Sequence, residues 1–431
     1  MKKLVVHPAK NLKGTLEVPG DKSISHRAVM LGSLAYGTTQ VSHFLTSADC
    51  VSTINIFRKM GVQIKQSGDR LIIVGKGLNS LKPSKGMLDA GNSGTSARIL
   101  LGLLAGQPFT SRLTGDKYLR RRPMKRVVAP LTQMGARISG PEDGNLLPLK
   151  LETRKLHGIT YPLAIASAQM KSAILMAGLF AEGKTTVIEP TPTRDHTERM
   201  FQSFSIPFTK KGNVLSLMGP IAPFKGRKIK VPADISSAAF FIVAGLIVPG
   251  SKLLLKNVGV NPTRTGLLDV LLKMGGNIQI NRRKTGKGEE PVADILVQSS
   301  NLRGVQIGGE IIPRMIDEFP ILAVAATQAR GTTVVKDAAE LRVKESDRIL
   351  MMAVSLKKMG AQIEAREDGW VIQGPTSLTG CRLSSGGDHR IAMSLAVAAL
   401  IAQGPTTILD TENINTSFPG FEKMIRQVAH P

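Results

Sequence analysis

The chain has 431 residues, 42% of them hydrophobic, and therefore has room for two or three packed domains. Its 57 basic and 32 acidic residues give a formal net charge of +25, which favours acidic partners, whereas an aromatic content of 4% leaves few rings to stack on unpaired bases. Two cysteines, Cys50 and Cys381, exclude a disulfide framework and favour a reducing compartment, so we expect a cytoplasmic protein.

Membrane, metal-binding and nucleic-acid-binding classes have little support in the sequence. The longest apolar stretch, residues 238–248, is far shorter than the ~18 residues of a membrane span, and the opening MKKLVVHPAK lacks the apolar segment of a secretory signal. No His, Cys and Asp set has metal-ligand spacing, so neither a metal nor a cofactor is expected. We expect a monomer that binds small anionic substrates, with no membrane and no specific nucleic acid; an RNA-processing or nucleic-acid-binding protein stays open as a minor alternative.

In chain order, the sequence repeats one pattern six times: an apolar run, a glycine turn and a short β-prone stretch. The turns fall at Gly37, Gly106, Gly183, Gly250, Gly331 and Gly404. Four intervening segments contain Met-Gly, at residues 60–61, 134–135, 274–275 and 359–360, followed by alternating residues such as VQIKQSGDRLIIVG (62–75). This pattern is typical of a helix with glycine at C′ before a β-hairpin. The repeat is therefore predicted to be helix, strand, helix, hairpin.

The first helix of each repeat begins with a polar or charged opening. The openings are GDKSISHR (20–27), GNSGTSAR (91–98), SAQMK (167–171), ADISSAA (233–239), MIDEFP (315–320) and GGDHR (386–390), each 13 to 15 residues before a turn glycine, which predicts six helices of about four turns. Helix N-termini that converge would bind anions. Ordinary capping is the alternative, but full charges where a cap needs only an oxygen favour the anion site: Lys22, Arg27, Arg98, Lys171 and Arg390.

Two similar segments predict the domain boundaries. LEVPGDKSISHRAVM (16–30) and IKVPADISSAAFFIV (229–243) both read as a strand, Val-Pro-x-Asp and a Ser-containing helix start. Residues 20–231 are expected to form one domain with three repeats, and residues 1–19 to join 232–431 in the other. The sixth repeat lacks a hairpin, and the N-terminal strands are predicted to complete it. The active site is expected in the cleft between the domains.

Six motifs in this order resemble the 5-enolpyruvylshikimate-3-phosphate synthase (EPSP synthase, 3-phosphoshikimate 1-carboxyvinyltransferase) family of bacterial enolpyruvyl transferases. They are GDKSISHR, LDAGNSGTSAR, RRPM (121–124), SAQMKSA, LRVKESDR (341–348) and GGDHRIAM. The resemblance implies an α/β (α+β) fold, a two-domain inverse α/β barrel of six βαβαββ-type repeats, three per domain. It also implies transfer of an enolpyruvyl group from phosphoenolpyruvate to the 5-hydroxyl of shikimate 3-phosphate, in chorismate and aromatic amino acid biosynthesis, and glyphosate as an inhibitor.

The resemblance also implies which residues act. For phosphoenolpyruvate these are Lys22, Gly94, Arg122, Gln169, Arg348 and Arg390. For shikimate 3-phosphate they are Lys22, Ser23, Arg27, Ser167, Ala168, Gln169, Asp317 and Lys344. The reaction needs a base on the hydroxyl and an acid at the methylene. The resemblance makes Asp317 the proton acceptor near the 5-hydroxyl, and gives proton transfer at the methylene to Glu345 with Lys22.

Each assignment has a structural alternative. Asp317 could be a helix N-cap, Glu345 could form a surface ion pair with Lys344 or Arg348, and Gly94 could be a plain turn glycine. Thr416 stands where some family members carry Lys, and Ala168 where others carry Ser.

Two features of the sequence favour this family over a related one, and two segments are expected to lie outside the substrate-binding site. UDP-N-acetylglucosamine enolpyruvyl transferase is the competing family. This chain differs from it in two places: Ser23 follows Lys22, and residues 110–125 contain no Cys. His196 in RDHTE (194–198) is expected to be structural, and KTGKGEE (284–290) a mobile loop.

Overall fold

The computed structural model describes residues 2–286 and 288–430. Its contacts divide the chain into two compact units. We call Gly20–Val231 with Gly286–Glu290 the N-unit, and Met1–Pro19 with Pro232–Thr285 and Pro291–Pro431 the C-unit. The expected ranges put residues 286–290 with the second domain, whereas Glu289 and Glu290 contact the N-unit helix His196–Ser203.

The chain begins in the C-unit with β1 (Lys3–Val6) and β2 (Asn11–Leu16). The N-unit then contains α1 (Lys22–Leu34), β3 (Tyr36–Ser42), α2 (Ala48–Lys59), β4 (Gln63–Ser67), β5 (Arg70–Lys76), β6 (Leu88–Asp89), α3 (Gly94–Ala105), β7 (Ser111–Thr114), α4 (Lys125–Gln133), β8 (Arg137–Ser139), α5 (Pro141–Gly144), β9 (Leu149–Glu152), β10 (Thr160–Pro162), α6 (Ala168–Gly178), β11 (Gly183–Ile188), α7 (His196–Ser203), β12 (Thr209–Lys211), β13 (Val214–Gly219) and β14 (Lys228–Lys230).

The C-unit continues with α8 (Ile235–Ile247), β15 (Lys252–Gly259), α9 (Gly266–Lys273), β16 (Asn277–Arg282), β17 (Val292–Gln298), β18 (Gln306–Ile307), α10 (Phe319–Thr327), β19 (Gly331–Val335), α11 (Arg348–Lys358), β20 (Gln362–Arg366), β21 (Gly369–Gly374), β22 (Arg382–Ser384), α12 (His389–Ala399), β23 (Thr406–Leu409), α13 (Phe421–Val428) and β24 (Ala429–His430). No helix of residues 2–286 and 288–430 is both long and apolar enough to cross a membrane.

The sheets follow the predicted βαβαββ order. In the β6-β7-β9-β8 sheet, the strand before α3 pairs in parallel with the strand after it, and a hairpin then adds two antiparallel strands. The β10-β11-β13-β12 and β18-β19-β21-β20 sheets repeat this arrangement. The predicted hairpins are confirmed, since β4 pairs with β5 and β20 with β21. The Met-Gly helix ends are confirmed as well, with Gly61 at φ 87° and Gly360 at φ 97°, where glycine avoids strain.

Two first strands are exchanged between the repeats. β2 precedes α1 but pairs in parallel with β15, and β14 precedes α8 but pairs in parallel with β3. In the sixth repeat β22 pairs with β23, and β1 adds the antiparallel strand beside it. The N-terminal strand thus completes the sheet that lacks its own hairpin, as predicted.

The first helices of the repeats form the cores of the two units. All residues of α8 from 235 to 246 are buried, and a Cβ at Gly102 of α3 would lie 2.0 Å from the carbonyl oxygen of Ala173 in α6, so α3 and α6 pack with their backbones close together. These helices have 9 to 13 residues, fewer than expected. The expected length included capping residues and turns outside the helix, such as Asp317 and Glu318 before α10.

Candidate functional site

The start of α1 places Lys22 and Ser23 at the edge of the N-unit core. Asp21 caps the helix, its Oδ1 accepting the Ile24 N–H at 2.9 Å. Lys22 therefore lies in the first turn, 19% exposed, with its Nζ 3.1 Å from Asp49 Oδ2. The lysine stays accessible while the carboxylate stabilises its charge.

Arg27, one turn further along α1, is 2% exposed. Its Nε donates to Thr197 Oγ1 and its Nη2 to Ser172 Oγ, both at 2.7 Å, and its Nη1 donates to the Ser23 carbonyl at 3.0 Å. Burial lowers the pKa of Arg27 to about 10, so it remains charged at neutral pH. Three of its N–H groups donate to uncharged oxygens in these bonds, while the charges of Glu198 and Asp21 act to raise the pKa of Arg27.

Gly94 is the first residue of α3, capped by Ser93, whose Oγ accepts the Ser96 N–H at 3.1 Å. A Cβ at Gly94 would lie 3.0 Å from Arg98 Nη1 and 3.3 Å from Arg122 Nη1. Two guanidinium groups therefore lie over this position. The alternative of a plain turn glycine is wrong, because Gly94 belongs to a helix and its missing side chain leaves room for both arginines.

Arg98 and Arg122 are held by amide side chains. Arg98 Nη1 donates to Gln169 Oε1 at 2.8 Å, and Gln169 Nε2 donates to Thr95 Oγ1 at 3.1 Å. Arg122 Nη2 donates to Asn92 Oδ1 at 3.1 Å. The structure thus brings together Gly94, Arg122 and Gln169, which were assigned to one ligand.

Several residues of this region escaped the sequence assignment. Asn92 Nδ2 donates to Asp116 Oδ2 at 2.8 Å, so an Asp116–Asn92 pair supports Arg122. Arg98 was noted only for its charge. The position of Asn92 inside GNSGTSAR was the one available signal, since Asp116 lies 24 residues away in an unremarked turn.

The start of α6 carries the third group of predicted residues. Ser167 caps the helix, its Oγ accepting the Met170 N–H at 3.4 Å, and Ala168 and Gln169 form the first turn. Lys171 is completely buried, with its Nζ 3.1 Å from Glu189 Oε2 and 2.7 Å from Glu198 Oε1. The prediction that Lys171 adds its charge to an anion site is therefore wrong, because two buried carboxylates use that charge.

In the C-unit, Asp317 lies in the turn before α10, and Glu318 occupies the N-cap position. The alternative that Asp317 is the N-cap is therefore wrong. Its Oδ1 lies 3.6 Å from Arg348 Nη1, its Oδ2 lies 3.7 Å from Arg390 Nη2, and its side chain is 19% exposed. Arg390 Nη1 also donates to the Asp317 carbonyl at 3.0 Å. Two arginines thus flank an accessible carboxylate.

Arg348 is 1% exposed and lies among three carboxylates. Its Nε donates to Asp388 Oδ2 at 2.9 Å and its Nη2 to Glu345 Oε2 at 2.6 Å. Burial acts to lower the pKa of Arg348, but the carboxylates led by Asp388 outweigh it and raise the pKa above its ordinary value. Its Nη1 is buried without a hydrogen-bond partner among residues 2–286 and 288–430, so it can donate to a ligand.

Glu345 forms the ion pair with Arg348 that the sequence left open, yet its side chain is 26% exposed. The ion pair and a role in proton transfer are therefore compatible. Lys344 lies beside it, with its Nζ 3.9 Å from Glu340 Oε2. Burial lowers the pKa of Lys344, with Asp317 opposing the shift, so this lysine releases a proton more readily than an exposed one.

One buried carboxylate, Asp388, joins the two arginines. Its Oδ1 accepts a hydrogen bond from the backbone N–H of Arg390 at 2.8 Å and so caps α12. Its Oδ2 accepts from the guanidinium Nε of Arg348. Burial would raise the pKa of Asp388, but the Arg348 guanidinium holds that pKa below its ordinary value. Asp388 was missed as a functional residue, although it stands inside GGDHR.

Two further residues near this cluster bear on the sequence analysis. Glu318, buried next to Asp317, accepts a hydrogen bond from Ser236 Oγ. Thr416 donates its hydroxyl to the Asn413 carbonyl at 2.6 Å, so this side chain is used locally. Within residues 2–286 and 288–430, no group of three His, Cys, Asp or Glu is placed to hold a metal ion.

Comparisons with known proteins agree with these features. Residues 6–425 match the protein-family model of EPSP synthase (3-phosphoshikimate 1-carboxyvinyltransferase). The 3-phosphoshikimate 1-carboxyvinyltransferase of Brevibacillus brevis is 52% identical over 426 residues, which cover 99% of this chain and 100% of the relative.

Solved structures are similar over the same length. EPSP synthase from Acinetobacter baumannii has a TM-score of 0.89 at 44% identity, covering 100% of this chain and 98% of that chain. The enolpyruvyl transferase NikO from Streptomyces tendae has a TM-score of 0.78 at 16% identity, covering 99% of this chain and 97% of that one, and shows a common fold.

Proposed function

Because this chain belongs to the EPSP synthase (3-phosphoshikimate 1-carboxyvinyltransferase) family, we propose that it transfers the enolpyruvyl group of phosphoenolpyruvate to the 5-hydroxyl of shikimate 3-phosphate and releases phosphate. It is a transferase of the shikimate pathway, which supplies chorismate for aromatic amino acid biosynthesis. The observation that carries the proposal is full-length similarity at about half identity together with accessible cations at the motif positions.

Charge supports the substrate assignment. Each substrate has one carboxylate and one phosphate, so the pair carries about −5 to −6 if each phosphate contributes about −1.5 to −2. In this proposal both clusters act on one pair of substrates, and six cations offset that charge: Lys22, Arg27, Arg122, Lys344, Arg348 and Arg390. Arginine suits a bidentate grip on carboxylate and phosphate, whereas lysine can also move a proton.

The binding roles follow the motif positions. Phosphoenolpyruvate is assigned to Arg122 and Gln169 over Gly94 in the N-unit, and to Arg348 and Arg390 in the C-unit. The arrangement of two guanidiniums over a position without a side chain supports the first assignment, and the buried Nη1 donor of Arg348 supports the second. Shikimate 3-phosphate is assigned to Lys22, Ser23, Arg27, Ser167, Ala168, Gln169, Asp317 and Lys344.

The chemistry is an addition followed by an elimination. In the first step the oxygen of the 5-hydroxyl bonds to the enol carbon while Asp317 accepts the hydroxyl proton. Glu345 with Lys22 delivers a proton to the methylene. In the second step Glu345 with Lys22 takes a proton back from the methyl group, the C–O bond to the phosphate breaks and phosphate leaves. The exposure of Asp317 and Glu345 supports these roles, because both carboxyl groups remain reachable by a substrate.

One assay tests the function. The purified protein should release phosphate from phosphoenolpyruvate when shikimate 3-phosphate is present, and should release none above background with UDP-N-acetylglucosamine as acceptor. The opposite preference would transfer the assignment to the competing enolpyruvyl transferase family. No release with either acceptor, by protein that binds both ligands, would overturn the proposed reaction.

We further propose that the enzyme is a cytoplasmic monomer. Both cysteines are free thiols, Cys50 buried and Cys381 partly exposed, as expected in a reducing compartment. Light scattering during size-exclusion chromatography should give the mass of one 46.2 kDa chain, and a larger mass would refute the monomer. Fractionation of the source cells should recover the protein with cytoplasmic enzymes.

A further inference from the structure

The first turn of α7 is a buried hub of side-chain contacts. Its four residues, His196, Thr197, Glu198 and Arg199, come from the RDHTE segment and the position after it; the first three are buried, and the four contact Arg27, Lys171, Ser172, Asp195, Glu289 and Glu290. Neither the binding assignment nor the proposed chemistry uses this segment. Its contacts nevertheless end on Arg27, which the proposed function assigns to shikimate 3-phosphate.

Thr197 and Ser172 hold one edge of the Arg27 guanidinium. Thr197 Oγ1 accepts from Nε and Ser172 Oγ from Nη2, each at 2.7 Å, and the two hydroxyl oxygens lie 2.7 Å apart. One hydroxyl therefore donates to the other while both accept from the arginine. Such a bidentate arrangement fixes the plane of the guanidinium, and it turns the opposite edge, with its unused N–H groups, toward any further acceptor.

The hydroxyl acceptors preserve the charge of Arg27. A carboxylate in their place would neutralise the guanidinium and compete with an anionic ligand. Buried carboxylates are present nearby, but Glu198 Oε1 lies 2.7 Å from Lys171 Nζ and Glu189 Oε2 lies 3.1 Å from the same atom. The carboxylates of Glu198 and Glu189 thus pair with Lys171, whereas the hydroxyls of Thr197 and Ser172 accept from Arg27.

Glu289 and Glu290 support the hub from outside. Glu290 Oε1 lies 2.6 Å from Nδ1 of His196, which is 2% exposed, and Arg199 Nη1 donates to the Glu289 carbonyl at 3.2 Å. These contacts explain why the two glutamates pack in the N-unit. The sequence predicts a mobile loop at KTGKGEE; of its described residues, Glu289 and Glu290 contact α7.

We propose that Thr197 and Ser172 are positioning residues that aim Arg27 at an anionic group of the acceptor substrate, and that Glu290 supports them through α7. The proposal rests on the proposed function and deepens it, because it assigns a role in acceptor binding to three residues outside the assigned site. The acceptor is recognised by its chemistry, a small polyol that carries a phosphate and a carboxylate.

Steady-state kinetics of Thr197→Val test the first part. The variant keeps the side-chain volume but removes the hydroxyl, and it should raise KM for shikimate 3-phosphate about tenfold, with KM for phosphoenolpyruvate and kcat changed less than twofold. Thr197→Ser, which restores the hydroxyl, should recover the wild-type KM. An unchanged acceptor KM in a folded Thr197→Val enzyme would overturn the proposal, as would equal rises in both KM values.

A double-mutant cycle separates positioning from general stability. In an Arg27→Ala background, Thr197→Val should change the acceptor KM by less than twofold, because the group that Thr197 orients is gone. Multiplicative effects of the two changes would show that Thr197 acts independently of Arg27 and would sink the idea. Wild-type enzyme without acceptor-dependent phosphate release would instead defeat the proposed function, so the two failures are distinguishable.

Glu290→Gln tests the outer support. It should raise the acceptor KM two- to fivefold and leave KM for phosphoenolpyruvate unchanged. Glu289→Gln is the matched control on the same segment, because its side chain accepts from the Gly286 N–H at 2.7 Å and its carbonyl stays in place for Arg199. Equal KM values for the two variants would remove Glu290 from the proposal.

Discussion

The cation clusters of the two units are built with different partners. In the N-unit, Arg27 donates to two hydroxyl oxygens and one carbonyl oxygen, Arg98 donates to the Gln169 amide oxygen and Arg122 to the Asn92 amide oxygen, whereas Lys22 pairs with the Asp49 carboxylate. In the C-unit, Arg348 binds two carboxylates directly and lies 3.6 Å from a third. A neutral acceptor orients a guanidinium and leaves its positive charge uncompensated. A carboxylate partner compensates that charge, and the guanidinium in turn stabilises the ionised form of the carboxyl group.

This difference suggests a division of labour between the clusters. In the N-unit, Arg27 donates its hydrogen bonds to uncharged oxygens, which suits ligand binding. The C-unit cluster combines three cations with three carboxylates, which suits proton transfer beside bound anions; they are Lys344, Arg348, Arg390, Asp317, Glu345 and Asp388. Loss of the carboxylates Asp317 and Glu345 in the C-unit should therefore act on kcat, and a change at Gly94 in the N-unit on KM.

Asp317→Asn should have the largest effect. The carboxamide keeps the size of the side chain but cannot accept the hydroxyl proton, so kcat should fall by about 10²- to 10⁴-fold with KM values changed little. Glu364→Gln, at an exposed ion pair with Arg366, is the control and should be near wild type. Near-normal turnover of Asp317→Asn would remove the base from the C-unit and with it the division of labour.

Glu345→Gln should lower kcat about 10²-fold, because the group that moves a proton at the methylene is lost. Arg348 keeps its bond to Asp388 in this variant, so the cation should stay in place. Enzymatic exchange of the phosphoenolpyruvate methylene hydrogens with deuterated water checks the step directly. Exchange at the wild-type rate would assign that proton to another residue.

Gly94→Ala tests the proposed binding role of the N-unit cluster. The added Cβ would crowd Arg98 Nη1 and Arg122 Nη1, at 3.0 and 3.3 Å, and both long side chains would shift. KM for phosphoenolpyruvate should rise about tenfold, by roughly 1.4 kcal/mol of binding, with kcat little changed, and affinity for glyphosate should fall more. Gly86→Ala, where a Cβ meets open space, is the control. Equal losses for substrate and inhibitor would contradict this reading of Gly94.

Much of the fold followed from local patterns. Gly61 and Gly360 ended their helices as expected because a left-handed C′ position leaves a clear trace in sequence. The pairing of β1 with β23 in the sixth repeat could be predicted because the sequence of that repeat contains no hairpin of its own. Helix lengths were overestimated, since turn residues such as Asp317 count toward the spacing but lie outside the helix.

Partners distant in sequence could not be predicted. Lys171 reads as an anion ligand in isolation, because its carboxylates lie 18 and 27 residues further along the chain. Glu290 lies 94 residues from His196, in a segment whose composition suggests a solvated loop. In both cases the partner of the charged side chain is set by burial in the folded N-unit. Burial depends on tertiary packing, which the local sequence pattern does not encode.

The smallest effect on catalysis is expected at His26, which ties the N-unit helices together. Its Nδ1 lies 2.8 Å from Thr53 Oγ1 and 3.1 Å from Ser96 Oγ, and its ring is fully buried. Burial, with Lys22 and Arg27, lowers the pKa of His26 to about 3 from an unfolded value of 6.5.

The unfolded chain therefore binds more protons than the folded chain between those pH values, so stability should fall as the pH drops below 6.5, by at most about 1.4 kcal/mol per pH unit from this group. Urea unfolding at pH 7, 6 and 5 should show a shallower acid decline for His26→Gln than for the wild type. His7→Gln, at an exposed position, is the control and should keep the wild-type decline. Parallel declines in wild type and His26→Gln would mean that the imidazole is not held neutral by the N-unit core.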